Sequence, residues 1–494
     1  MKSLSTKKPN LTRHAATEDS HALPPGWRRL TLGEKCDILA GFGFPERFQG
    51  KSSGDLPFYK VGDISETWKR GDTFLTNANH YISHTEAREL RAKALPANTT
   101  VFAKIGAAIA LNRRAILSEP SLVDNNVMGL HPGSDDLDFK FLFHFICTLK
   151  LDELSRATTV PSIRKSDIES IAIPVPPPME QQRIVAEIEK QFTRLETGVA
   201  ALRRVQANLK RYRAAVLKAA CEGKLVPTEA DLNRKLKTQN SKFETGAQLL
   251  ARILAERRKN WLAHQSLGGG GTGRGKYKEP AAPSTTHMPP LPAGWCYASL
   301  EQLTSTDRPI CYGILMPKEN VADGVLYVKV KDMKGDRIDI ASLHRTTNEI
   351  ASKYARASLR TGDLLLAIRG TYGRVAEVPK ELDGGNITQD TARLDVTGLA
   401  DHRFVATCLR NPDCQNYFKR VARGVAVKGV NIGDVRPTPI PLPPLAEQTR
   451  IVAEVERRLS VVDELKAVAS ANLQRATRLR QSILQIAFTG ELTA

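Results

Sequence analysis

The chain has 494 residues, enough for two or three domains, since single cores rarely grow past about 250 to 300 residues. Lys and Arg number 72 against 53 Asp and Glu, a formal charge of +19, which favours a polyanionic partner such as nucleic acid or an anionic membrane surface. Residues 1–22 hold no apolar core of signal-peptide length, no run of 18 apolar residues occurs, and the seven cysteines form no CxxC pair, so the expectation is a soluble, cytoplasmic protein with reduced thiols.

A basic tail (1–22) precedes LPPGWRRLTLGE (23–34), which opens a globular stretch running to about residue 173. Short β-branched runs such as TTVFAKI (99–105), broken by Gly, Pro, Asn and Asp and mixed with helical patches, predict an α+β domain. His80 and His84 have a spacing that could place two ligands on one helix face, but no further His or Cys follows at a metal-site interval, and no metal is expected. Pro176, Pro177 and Pro178 then stop the domain, and proline at such a place suits the first turn of a helix.

The helix expected over 179–221 carries Ile188, Phe192, Leu195, Val199, Leu202, Leu209 and Val216 on an alternating four-and-three spacing, a coiled-coil seam interrupted by Gln206 and Arg213. About 40 continuous residues make a rod of roughly 60 Å, longer than a small domain is wide. Gly198 in mid-helix costs about 1 kcal/mol against Ala, and Gly223 suits a left-handed cap at the end. A second amphipathic helix, QLLARILAERRKNWL (248–262), leads into a Gly/Pro-rich linker (266–290).

From LPAGWCYASLEQ (291–302) the text repeats itself. A second α+β stretch to about residue 440, with DLLLAIR (363–369), ends at Pro443 and Pro444. A second long helix over 446–488 carries Val455, Leu459, Val462, Ala469, Leu473, Ala476 and Ile483 in the same frame, with Lys466 and Arg480 interrupting, and Gly490 behind it. IPVPPPMEQQRIVAEIE (173–189) overlies IPLPPLAEQTRIVAEVE (440–456) at a shift of 267, and KVGDI (60–64) resembles KVKDM (329–333) at 269. A period this long means two similar domains rather than a solenoid.

Catalytic motifs are missing from this text. Gly270 to Lys276 matches GxxxxGK, but Tyr277 stands where a magnesium-binding Ser or Thr is required. Asn411-Pro412-Asp413-Cys414 approaches a base-holding methyltransferase loop but lacks its second proline and stacking aromatic. A coiled-coil scaffold and a single-chain methyltransferase or nuclease with degenerate motifs stand as the competing classes.

Two divergent globular regions entered by LPPGW and LPAGW, each followed by PPP or PP, an EQQRIVAE or EQTRIVAE helix and a closing CEGKL or FTGEL, resemble the specificity subunits of type I restriction-modification enzymes. GAQLLARILAERRKNW (246–261) resembles the family's central helical region. The resemblance implies target-recognition domains at 23–176 and 291–441, held apart by two long antiparallel helices, with a central conserved region at 177–265 and a distal conserved helix within 442–494. It implies a non-catalytic DNA-recognition subunit that reads a bipartite, asymmetric site. Two modification (methyltransferase) subunits and restriction (translocase/endonuclease) subunits would be its partners, and S-adenosylmethionine, ATP and magnesium would reside on them. Basic residues in turn-rich places are the candidate DNA contacts: Lys104, Arg113 and Arg114 in the first head, and Lys331, Arg369, Arg374 and Lys428 in the second. Arg183 and Glu187, with Arg450 and Glu454, are the candidate partner-docking residues, on the reasoning that a phrase written twice does the same docking job twice.

Overall fold

Each repeat opens with a strand that pairs antiparallel with the strand just ahead of its proline stop: Arg28–Thr31 against Ala172–Val175, and Cys296–Ser299 against Pro439–Leu442. The computed structural model describes residues 23–155, 160–236, 243–266, 276–286, 288–425 and 427–493. The basic tail, residues 267–275 and 287 of the linker, and most of the GxxxxGK match lie outside these residues. Among the described residues, no helix is long and apolar enough to cross a membrane.

The chain divides into two compact units, Met1–Arg203 with Ser470–Ala494, and Arg204–Ala469. In the first, a five-stranded sheet runs in the order Cys36–Ala40, Val127–Pro132, Thr100–Ala103, Arg114–Leu117, Phe74–Leu75, antiparallel except for its last pair. A three-stranded sheet (Tyr81–Ile82, Leu56–Tyr59, Leu122–Val123) accompanies it. The second unit repeats this plan with a four-stranded sheet, Cys311–Tyr312, Thr391–Leu394, Leu364–Ala367, Val375–Glu377, and a three-stranded one, His344–Thr346, Val325–Val328, Asn386–Ile387. The matching text KVGD and KVKD marks the same turn in both: the Lys60 and Lys329 amides donate to Asp63 and Asp332 at 2.6 and 2.9 Å, capping the helical turn that follows.

The long helices span Pro178–Cys221 and Leu445–Ala487, within a residue of the expected bounds, and the first continues unbroken through Gly198. Gly223 and Gly490 take φ of 67° and 85°, the left-handed conformation of a C-terminal cap. In the first unit Arg480 donates to Glu196 at 3.0 Å and lies 4.1 Å over the Phe192 ring, and in the second Arg213 donates to Asp463 at 3.1 Å. Within each unit, a segment of one long helix therefore packs against a segment of the other. Val455, Val462, Ala469, Ala476 and Ile483 are buried along the seam, whereas Lys466 is exposed.

Each head rests on the beginning of the helix that follows it and on the end of the other. The first packs on Ile184, Val185, Ile188 and Phe192 together with Ile483, Leu484 and Ala487. The second packs on Ile451, Val452 and Val455 together with Val216, Leu217, Ala220 and Cys221. A shift of 267 carries 184, 185 and 188 to 451, 452 and 455, and 216, 217 and 220 to 483, 484 and 487. The apolar letters of RIVAE are therefore repeated because each head needs the same floor, and burying them supplies about 1.5 to 3 kcal/mol per large side chain.

The phrase EQ just ahead of it is also internal. Trp27 donates its indole N–H to Glu180 at 3.0 Å and Trp295 does so to Glu447 at 3.1 Å, which accounts for the tryptophan of LPxGW. Gln181 donates to the Pro176 carbonyl at 2.9 Å and accepts from the Asp138 amide at 2.8 Å; Gln448 makes the same two bonds, both 2.9 Å, with Pro443 and Asp401. Each glutamine is buried and latches the head to the start of its helix.

Candidate nucleic-acid interface

In the second head the strand Leu364–Ala367 runs into a tight loop that must turn back within a few residues. Gly370 (φ 67°) and Gly373 (φ 85°) make the turn, and the Gly373 amide closes it on the Ala367 carbonyl at 2.8 Å. Arg369 leaves the loop exposed, and its backbone bridges to Gly429 while the Gly370 amide donates to the Lys428 carbonyl at 3.1 Å. Arg374 starts the return and donates to the Met333 carbonyl at 3.0 Å, which ties it to the turn carrying Lys331. These segments enclose an open cleft of about 510 Å³ lined by Lys331, Lys334, Arg369, Arg374, Asp390 and Val427. Lys331, Arg369 and Arg374 thus meet in one place, and Lys428 adjoins it. None of these cations, nor Lys334, makes an ion pair among the described residues.

The first head has a cleft at the equivalent position. Gly106 (φ 86°) turns the chain after the strand Thr100–Ala103, Ile105 bridges to Ser162 as Arg369 bridges to Gly429, and the Gly106 amide donates to the Pro161 carbonyl at 2.8 Å. The resulting cleft, about 370 Å³, takes Lys104, Arg164 and Lys165 on its polar side and Ile38, Leu39 and Met128 on its apolar side. It is less densely charged, and Lys165 is partly engaged by Glu169 at 3.7 Å.

Arg113 is half-buried and does not line the cleft. Arg114 is corrected outright: it is buried, donating to the carbonyls of Asn112 (2.6 Å) and Leu149, and desolvation pulls its guanidinium below the usual range. It opens the strand Arg114–Leu117, all four residues of which are buried, whereas Arg113 lies just ahead of the strand. The cleft residues Arg164, Lys165, Lys334 and Asp390 were not singled out from the sequence; only the continuation of KVKDM into Lys334 offered a signal.

The four docking candidates are not equivalent. Arg183 is exposed, with no bond to a side chain among the described residues. Arg450 is half-buried, paired to Glu229 at 2.5 Å and reaching the Pro227 carbonyl at 3.4 Å. Glu187 accepts from Lys190 and Gln191 at 2.9 and 2.6 Å, which holds its carboxyl below the ordinary range. Glu454, between Arg457 and Arg458 at 2.8 and 2.6 Å, is pulled down to about 2. His80 lies ahead of the helix His84–Glu89, so the two histidines do not share a helix face; its Nδ1 accepts from the Gly50 amide at 2.9 Å. Asn411-Pro412 is the start of the helix Pro412–Val421, with proline in its first turn.

Residues 24–201 and 319–468 match the family model of the type I restriction modification DNA specificity domain. The chain is 25% identical over 476 residues, 95% of its own length and 86% of the relative's, to the EcoBI type I restriction enzyme specificity subunit of Escherichia coli. It is 25% identical over 349 residues, 70% of its length and 68% of the relative's, to the EcoDI specificity subunit of the same species. Among solved structures, a chain from work on complex assembly and conformational transition of the type I R-M system is similar, with a TM-score of 0.59 at 19% identity, covering 95% of this chain and 99% of that one.

Proposed function

Starting from a chain that belongs to the type I restriction modification DNA specificity family, we propose that it reads DNA through the two equivalent clefts of its heads. The observation that carries this reading is the convergence of Lys331, Lys334, Arg369 and Arg374 from separate segments into one unpaired basic cleft, at the place where the first head gathers Lys104, Arg164 and Lys165. Cations that make no ion pair within the head can meet phosphates at no cost in broken ion pairs, and arginines beside them can address guanine. Because the two clefts differ in charge and in apolar lining, each head would read its own bases, giving a bipartite, asymmetric site.

Catalysis would lie elsewhere in the assembly. Modification subunits, two copies of them, would carry S-adenosylmethionine, and restriction subunits would carry ATP and magnesium, while this chain supplies sequence recognition and the assembly platform. The exposed stretch around Arg183 is available for such docking; around Arg450 the surface is shared with Glu229.

The experiment is selection from a random duplex pool by the chain co-purified with its modification subunit. Two short half-sites separated by unread bases are the expected product. One uninterrupted site, or no enrichment, would contradict the proposal.

A further inference from the structure

An acid in a cleft built for phosphates needs a reason. Asp390 lines the second head's cleft together with Lys331, Lys334, Arg369 and Arg374. Its backbone carbonyl accepts from the Ile368 and Arg369 amides at 2.8 and 3.3 Å, which pins the main chain at the mouth of the Arg369 loop. Its carboxylate makes no hydrogen bond or ion pair among the described residues, although four cations share the cleft. For phosphate binding alone such a group is a defect, since it repels the ligand and neutralises part of the cleft by charge.

We propose that Asp390 is a base-reading residue, accepting a hydrogen bond from the N4 amine of a cytosine in the major groove. This rests on the reading of the cleft as a DNA interface. An ionised carboxylate only accepts, so it requires an exocyclic amine. Adenine offers one beside its N7 acceptor, which would face the second carboxylate oxygen unfavourably, whereas the cytosine edge presents N4 without an adjacent nitrogen acceptor. The guanine paired with that cytosine presents two acceptors, O6 and N7, and arginine is the side chain that matches them. Arg369 and Arg374 stand in the same cleft. An acid and an arginine in one cleft are the combination that a C·G pair calls for.

The first head makes the same turn with a different residue. There the Lys104 amide donates to the Asn126 carbonyl at 2.8 Å, as the Ile368 amide does to Asp390. An amide thus stands where the second head has an acid, but Asn126 does not line the first head's cleft, so the acid is a feature of the second head's cleft.

The test is the same duplex selection, run with the assembled complex carrying Asp390→Ala or Asp390→Asn. Both substitutions leave the backbone bonds of the turn in place, and the second is nearly isosteric. Asp390→Ala is expected to relax one position of one half-site, with discrimination for cytosine falling on the order of 10- to 100-fold, while the other half-site is unchanged and affinity for random DNA rises. Asp390→Asn is expected to move that position toward adenine. If both variants select the parent sequence, the assignment of Asp390 is overturned. If Lys331→Ala and Arg369→Ala also leave affinity for random DNA untouched, the cleft is no DNA interface and both proposals fall; if those two weaken binding, only the Asp390 assignment does.

Discussion

Trp295 donates its indole N–H to the Glu447 carboxylate at 3.1 Å, joining the residue just ahead of the second head's opening strand to the first turn of the second long helix. Glu447 is fully buried, and that burial pushes its carboxyl above the ordinary range despite a second donor, the Glu229 amide at 3.0 Å. Trp295→Phe keeps the ring and removes the N–H, leaving a buried acid short of one partner, at a cost of about 1 to 3 kcal/mol. Trp27→Phe removes the matching bond to Glu180, which is only half-buried and can turn to water. Denaturant midpoints should therefore fall further for Trp295→Phe than for Trp27→Phe. Equal losses would mean the two latches are not distinguished by burial.

His144 should make the first unit sensitive to acid. It is buried against the rings of Phe143 and Phe192, its Nδ1 has no partner, and desolvation lowers its pKa to about 4, with Arg480 and Lys140 adding to the effect. The unfolded chain therefore takes up a proton near pH 6.5 that the folded one refuses until about 4. Stability is full above the upper value and declines as pH falls through this window, by on the order of 3 kcal/mol for the whole interval. His144→Phe preserves the ring packing and should flatten the stability profile between pH 6.5 and 4. An unchanged slope would show that other groups govern acid unfolding.

Charge reversal separates the two candidate docking arginines. Arg183→Glu alters an exposed residue and should weaken association with the modification subunit while leaving the unfolding midpoint in place. Arg450→Glu would set a new carboxylate against Glu229, its partner at 2.5 Å, and should lower the midpoint of the second unit as well. Calorimetry of the free chain and titration of the complex read the two effects apart. Identical behaviour of the two variants would contradict the asymmetry.

Local and periodic features were legible in the sequence. The proline stops, heptad spacing and glycine caps gave both long helices to within a residue, and the repeat gave the paired heads. What floors each head was not, because the partners lie far apart in the chain: the first head rests on Ile483 and Leu484, some 300 residues from its strands. The same limit applies to the clefts. Composition cannot separate Arg113 from Arg114, whereas the fold buries Arg114 at the start of its strand and leaves Arg113, just ahead of it, half-buried. Lys331, Arg369 and Arg374 converge only after Gly370 and Gly373 fold the strand back, and Asp390 joins them from a strand end that carries no charge pattern of its own. The repeated phrase misled in one respect: part of its duplication serves the heads' cores and latches rather than a partner surface.

The most direct measurement is the salt dependence of duplex affinity for the assembled complex and for its Lys331→Ala/Arg369→Ala/Lys428→Ala variant. Each phosphate contact contributes about 0.9 to the slope of log K against log salt, so a cleft that grips the backbone through these three exposed cations predicts a slope shallower by about 2 to 3 and weaker binding to every sequence. Affinity and slope that both match the parent would contradict the claim that this chain holds DNA in the cleft of its second head.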